Sequence, residues 1–326
     1  MEEVSLAMIK EASDTMKELV QVSPIVTSNR LSPNLFFKAE NTQRTGSFKI
    51  RGAYNRIRML SDDEAKRGVI ACSAGNHAQG VALAASKRGI KSVICMPKNA
   101  PKMKIDATRH YGAEVVLVDG NYDKAAVESE RLVKENGYIF VHPFDDPYVI
   151  AGQGTIGLEI IDQVPDVEQV VVPIGGGGLI SGIVVAIKTL KPKCKVIGVE
   201  PEIVASMKKS LEEGKITTIK DGVSVADGLH VLTPGKITFE IIKKYVDDVV
   251  TVDEEMICAA VTGLLECPKL VAEGAGATST AAFLFGKVDR SKKTVAIVSG
   301  GNVDLIKLAD EVEFGINKFI EYTDSN

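Results

Sequence analysis

Four consecutive glycines, Gly175, Gly176, Gly177 and Gly178, stand between the valine run 170–172, closed by Pro173, and an apolar helical segment opening at Leu179. No other feature constrains the fold so strongly. A flexible linker would carry serine and charge, whereas this run joins two segments that both need burial. The valine run barely alternates apolar with polar residues, the pattern of a strand covered on both faces of a parallel sheet. Similar strand-length runs occur at 35–37, 69–72, 92–96, 114–118, 138–141, 195–199, 249–252 and 294–298. Segments of helical period lie between them, including 76–87, 123–135, 154–162, 179–190, 254–265 and 276–285, after a first helix at about 6–20. Strand, crossover helix and strand in alternation predict an α/β protein of doubly wound parallel sheets. The 326 residues exceed one compact core of about 100–200 residues, so two lobes are expected. The division falls at a small lobe, 69–146, inserted in a large lobe of 1–68 plus 147–326. Pro143 to Pro147 reads as the return crossing, and the tail after about 307 as short and polar-ended, too short for a regulatory module.

Composition narrows the function. Lys and Arg number 39 against 43 Asp and Glu, a net charge of −4, which removes the electrostatic case for nucleic acid. The apolar stretch 170–187 is broken by Pro173 and the glycines, so no membrane span is expected. Met1-Glu2-Glu3 is acidic and no signal peptide is read there. Five cysteines without a CxxC pair suggest reduced thiols in a cytoplasmic protein.

In doubly wound sheets ligands bind beyond the carboxyl ends of the strands, at helix N-termini. The exit at 175–178 exposes backbone N–H groups with no Cβ in the way and adds a helix N-terminus, a cradle for phosphate. A Walker loop is excluded because Leu179-Ile180 follow in place of Lys-Ser/Thr. A dinucleotide site is the second reading: Glu200 ends the next strand, but the third glycine position holds Ile180. The exit at 73–80 carries Ser73 and Asn76 to a helix start, either as an anion pocket of carboxylate size or as plain N-caps. The exit at 299–302 places Ser299 before two glycines, as a ligand hydroxyl or a tight turn. Upstream, Lys49 occupies the first turn of a helix, electrostatically misplaced, which favours a neutral, nucleophilic amine. A phosphate cradle, an amine able to form a Schiff base, a carboxylate pocket and a hydroxyl together suit pyridoxal phosphate.

Residues 45–53, 73–80, 151–155, 175–179, 227–228 and 299–302 resemble the fold-type II (tryptophan synthase β-like) pyridoxal-phosphate enzymes. Within them the chain resembles the threonine dehydratase and serine racemase family, from about 23 to 305. The resemblance implies that Lys49 carries pyridoxal 5'-phosphate and abstracts the substrate's α-proton. It implies that Phe48 packs beside the ring and Asn76 hydrogen-bonds its phenolic oxygen. Gly175, Gly176, Gly177, Gly178 and Leu179 would hold the phosphate, and Ser299 would meet the pyridine nitrogen. Ser73, Ala74, Gly75, Asn76 and His77 would bind the substrate carboxylate.

Racemases of this family carry a second serine where this chain has Ala74, so the resemblance implies dehydration of L-threonine and L-serine to 2-oxoacid and ammonia. Serine racemase, 3-hydroxyaspartate dehydratase and a nucleotide-binding sensor without chemistry are the alternatives. The resemblance also implies an AMP- or ATP-type effector at Arg44, Thr45, Gln79, Tyr111 and Asn302, against local packing as the plainer role of Arg44 and Gln79. A monovalent or divalent cation would use Glu200, the Val204 carbonyl and Ser206; the plainer reading of Glu200 is a solvated strand-end carboxylate. A homodimer or homotetramer is expected.

Overall fold

The computed structural model describes residues 3–324. It opens with α1 (Leu6–Thr15), β1 (Ile25–Thr27), β2 (Leu35–Ala39), α2 (Lys49–Arg58) and α3 (Asp62–Arg67). Strand–helix units follow: β3 (Val69–Cys72), α4 (Asn76–Arg88), β4 (Ser92–Pro97), α5 (Lys102–His110), β5 (Glu114–Val118), α6 (Tyr122–Asn136), β6 (Ile139–Phe140) and α7 (Pro147–Gln163). Next come β7 (Gln169–Pro173), α8 (Gly178–Leu190), β8 (Lys195–Pro201), α9 (Ser206–Glu213) and α10 (Lys236–Tyr245). The chain closes with β9 (Asp248–Val252), α11 (Glu254–Glu266), α12 (Gly274–Leu284), β10 (Thr294–Val298) and α13 (Leu305–Asp324).

The strands form two sheets, β1-β2-β10-β7-β8-β9 and β5-β4-β3-β6. Every pair is parallel except β1 with β2. β7 and β10 are buried along their whole length because helices cover both faces of the larger sheet. The core against the smaller sheet joins Ile50, Ala53 and Ile57 of α2 to Val69, Ala71 and Ile94.

α7 begins at Pro147, seven residues before the helical segment read from the sequence. Asp146 caps it by accepting from the Tyr148 and Val149 amides, with Pro147 in the first turn. Its glycines let three helices meet at backbone distance. A Cβ at Gly152 would stand 2.6 Å from the Arg51 carbonyl of α2, and one at Gly182 of α8 would stand 2.4 Å from the Gly154 nitrogen. Beside this contact, the buried Arg51 guanidinium binds Glu40 and Glu159, and buried Lys38 also reaches Glu159 at 2.6 Å. α7 thus fixes α2, which begins at Lys49, against α8, which begins at the glycine run. The stretch after residue 307 forms the greater part of α13, whose buried Leu308, Gly315, Phe319 and Tyr322 recur at helical spacing.

Candidate active site

β10 sets the position of Lys49. Just past the strand's end the Ser299 carbonyl accepts the Phe48 N–H at 3.1 Å, and the Gly301 N–H donates to the Gly46 carbonyl at 2.9 Å. Lys49 opens α2 behind Phe48, an N-cap without a side-chain hydrogen bond. Its amine donates to the Pro143 carbonyl at 2.8 Å and lies 5.4 Å from the Phe48 ring centroid. Enclosure by the surrounding walls lowers its pKa to about 8, while the Glu273 carboxylate pulls the other way. The depressed amine read from the sequence is present, and burial is its leading cause.

The glycine run lies between β7 and α8. Gly177 is the N-cap, with φ +92°, a conformation that favours glycine. The Gly176 carbonyl accepts from the Thr238 hydroxyl at 2.7 Å, which turns the next amide away from Thr238. The first amides of α8 have no intrahelical acceptor. A Cβ at Gly176 would stand 2.3 Å from the Phe144 ring, so glycine is needed there for space as well.

The third part follows β3. Neither Ser73 nor Asn76 caps α4: the N-cap is Gly75, without a side-chain cap, and Ser73 Oγ accepts from the Gly75 amide at 3.2 Å. Asn76 Nδ2 donates to Glu273 Oε1 at 2.5 Å, and Asn76 Oδ1 accepts from Asn302 Nδ2 at 2.7 Å. Ala74 is half-buried beside them. His77 is buried, with Nε2 2.8 Å from the Val141 carbonyl, so Nε2 carries the proton and Nδ1 is left without a partner. Burial, then the neighbouring Lys49 charge, lower its pKa to about 3.

These parts face one cavity of about 720 Å³, lined by Lys49, Asn76, the glycine run, Glu273 and Ser299 among others. Glu273 was not singled out in the sequence. It is buried just before α12, and burial pushes its carboxyl up to about 7. The one signal for it was an isolated acid between Ala272 and the small residues of α12. The donor set fits pyridoxal phosphate: an enclosed amine, a loop of amides that tolerates no Cβ at Gly176, and the Ser299 hydroxyl, which donates to the Ala275 carbonyl at 3.3 Å.

Of the effector residues, Arg44, Thr45, Tyr111 and Asn302 are linked by contacts. Tyr111 Oη donates to the Arg44 carbonyl at 3.2 Å and Asn302 Nδ2 to the Thr45 carbonyl at 2.7 Å. Arg44 Nε donates to the Leu19 carbonyl at 2.7 Å, and Gln79 is buried on α4. Glu200 is not a solvated carboxylate. It is fully buried and accepts the Met207 and Lys208 amides at 2.9 and 2.8 Å, serving the opening amides of α9. Burial pushes its pKa up to about 7. Val204 is buried nearby, and the Ser206 hydroxyl donates to the Val231 carbonyl at 2.6 Å. Among the described residues no three His, Cys, Asp or Glu side chains gather to hold a metal ion.

Two parallel-sheet lobes, with a lysine amine and a glycine run lining one cavity, define a fold-type II pyridoxal-phosphate enzyme. The chain belongs to the family described as pyridoxal-phosphate dependent enzyme, which matches residues 16–300. It is 52% identical over 320 residues to a Thermotoga maritima protein named L-threonine ammonia-lyase, covering 97% of this chain and 79% of that one. It is 50% identical over 290 residues to the Escherichia coli K12 protein named L-threonine dehydratase catabolic TdcB, covering 88% of each. Among solved structures, the processed form of threonine deaminase isoform 2 from Solanum lycopersicum superposes with a TM-score of 0.89 at 37% identity, covering 96% of this chain and 95% of that one. Maize serine racemase superposes with a TM-score of 0.90 at 36% identity, covering 98% and 99%.

Proposed function

We propose that the protein is a lyase that dehydrates and deaminates L-threonine, and L-serine with it, to 2-oxobutanoate or pyruvate and ammonia. The observation that carries this reading is the enclosed Lys49 amine facing the glycine cradle, in a chain about half identical to proteins named for threonine deamination.

Bound pyridoxal phosphate supplies the electron sink that acidifies the α-hydrogen of an amino acid joined to it. The amides from Gly175 to Leu179 would hold its phosphate, Phe48 would pack beside it, and Asn76 and Ser299 would hydrogen-bond it. The substrate carboxylate lies at the open N-terminus of α4, against Ser73, Ala74, Gly75, Asn76 and His77. His77, neutral down to about pH 3, brings no charge of its own. Lys49 takes the α-proton on Nζ; a pKa near 8 gives it access to both protonation states near neutrality. The opposite face holds the Ala74 methyl, which has no proton to return, so elimination is favoured over racemisation. Serine racemase and hydroxyaspartate dehydratase are the lesser readings.

Three finer points belong to the same proposal. Residues 69–146 act as one lobe against 1–68 plus 147–326, with α2 packed on both. An adenine nucleotide binds near Arg44 and Tyr111; the Asn302 contacts to Thr45 and Asn76 would connect it to the active site. The enzyme works in the cytoplasm as a homodimer or homotetramer; among the described residues no helix is long and apolar enough to cross a membrane.

Stoichiometric release of ammonia and 2-oxobutanoate from L-threonine tests the activity, and its absence sinks the reading. Lys49→Ala should lower kcat by about 10³-fold. Millimolar AMP that changes neither the substrate dependence nor the oligomer mass would remove the effector site.

A further inference from the structure

Residues 142–145, between β6 and α7, touch both halves of the cofactor site. The Pro143 carbonyl accepts from the Lys49 amine at 2.8 Å. The Phe144 ring lies where a Cβ on Gly176 would have to go. The Asp145 carboxylate accepts the opening amides of α10, from Lys236 at 2.9 Å, Ile237 at 2.8 Å and Thr238 at 3.2 Å. Thr238 in turn holds the Gly176 carbonyl at 2.7 Å. The segment therefore reaches Lys49 through one carbonyl, and the glycine loop through a ring and a capped helix.

Nothing regular shapes this segment, for it belongs to neither strand nor helix. His142 shapes it. Its Nδ1 accepts the Phe144 amide at 3.2 Å and the Asp145 amide at 2.7 Å. This is the pattern, two and three residues on, that Asn and Asp side chains use to fold a turn. An Nδ1 that accepts cannot carry a proton, so the neutral ring has its hydrogen on Nε2. The ring also stands edge-on to Phe144, with centroids 4.7 Å apart at 88°.

We propose that His142 is a positioning residue: by gathering 143–145 around Nδ1 it sets the spacing between the Lys49 amine and the glycine loop. The inference rests on the reading of those two groups as the anchors of one cofactor. A ligand joined at both ends is sensitive to that spacing, and an error of about 1 Å costs up to about 10²-fold in rate.

Two substitutions separate the acceptor from the ring. His142→Asn places Oδ1 where Nδ1 stood, whereas His142→Gln carries its oxygen out to the place of Nε2 and leaves both amides unserved. The measurements are kcat and KM for L-threonine, the rate at which dialysed holoenzyme loses its visible cofactor absorbance, and the thermal midpoint. His142→Asn should stay within about threefold of the parent in kcat and release rate. His142→Gln should lower kcat about 30-fold with KM little changed and release cofactor about tenfold faster, in keeping with a spacing error below 1 Å. If Gln matches the parent, or Asn falls as far as Gln, the Nδ1 role is overturned. A parent enzyme that releases no 2-oxobutanoate would overturn the threonine activity instead, and the release rates would still decide the role of His142.

Discussion

α8 and α4 begin alike and are built to opposite ends. Each follows a buried strand, and each has a glycine N-cap with no side-chain hydrogen bond. Gly177 at α8 is walled in: a Cβ there would stand 2.9 Å from Ile242 and Thr238 and 3.1 Å from Met207. Gly75 at α4 faces open space: a Cβ there would have no neighbour within 4 Å, and Ser73, Ala74 and Asn76 around it are half-buried. The two helix ends share an attraction for anions. On the proposed function their walls would decide residence. Amides fixed by packing need no reorganisation to hold a phosphate, which suits a cofactor that stays. An open turn suits a carboxylate that must enter and leave in every turnover.

Gly176→Ala tests the walled side and carries the largest expected effect. The methyl would meet Phe144, so the purified protein should be nearly colourless and at least about 10²-fold less active. Gly75→Ala on the open side adds a methyl where there is room, at a negative φ of −139°. It should keep its cofactor and raise KM only a few-fold. Equal losses in the two variants would erase the distinction.

The helix bodies behind the two ends differ in the same sense. In Gly182→Ala of α8 the methyl would lie 2.3 Å from the Ile150 carbonyl, and urea unfolding should show a loss of about 3 kcal/mol. Gly80→Ala of α4 meets the Lys49 backbone at 3.1 Å, and a loss of about 1 kcal/mol is expected. A reversed order would show that α4 is the more rigid partner.

Ala74→Ser should give the open turn a hydroxyl on the face opposite Lys49, and with it a minor yield of D-serine from L-serine beside pyruvate. Chiral chromatography reads the yield; D-serine formed as fast as pyruvate by the unmodified enzyme would overturn the dehydratase assignment. A pH-dependent effect concerns His77 on α4. Its pKa falls from 6.5 to about 3 on folding, so the unfolded chain binds the proton first. Its contribution to stability is complete above pH 6.5 and is lost as pH falls toward 3. Urea midpoints of His77→Asn should therefore decline less between pH 7 and 4 than those of the parent; parallel declines would mean that His77 titrates normally.

What the sequence disclosed follows from the range of the forces involved. β3 and β10 begin and end where their Val- and Ile-rich runs do, because burial on both faces writes itself into consecutive residues. β1 went unread: three residues beside Pro24, paired antiparallel at the sheet edge, carry no such run. The early turns of α7 were obscured by Gly152 and Gly154, which weaken helix propensity locally and find their reason only in α2 and α8. Lys49, Ser299 and the glycine run stood out because strand exits are local features. Glu273 and His142 did not. Glu273 acts on Asn76, 197 positions away, and His142 serves backbone amides that no composition marks.

The contact between α2 and α7 bears on the order in which the protein assembles. The Gly52 amide meets the Gln153 side chain across 101 positions of chain, and the whole smaller sheet lies inside that span. Closing a flexible loop of that length costs about 4 kcal/mol of chain entropy, an expense that falls sharply if the enclosed segment is already compact. The smaller sheet is thus expected to condense early and the α2–α7 seam late. Lys49 is carried on that seam, so the amine is expected to reach its place facing the glycine loop near the end of folding, and on the proposed function a partly folded chain would hold no cofactor.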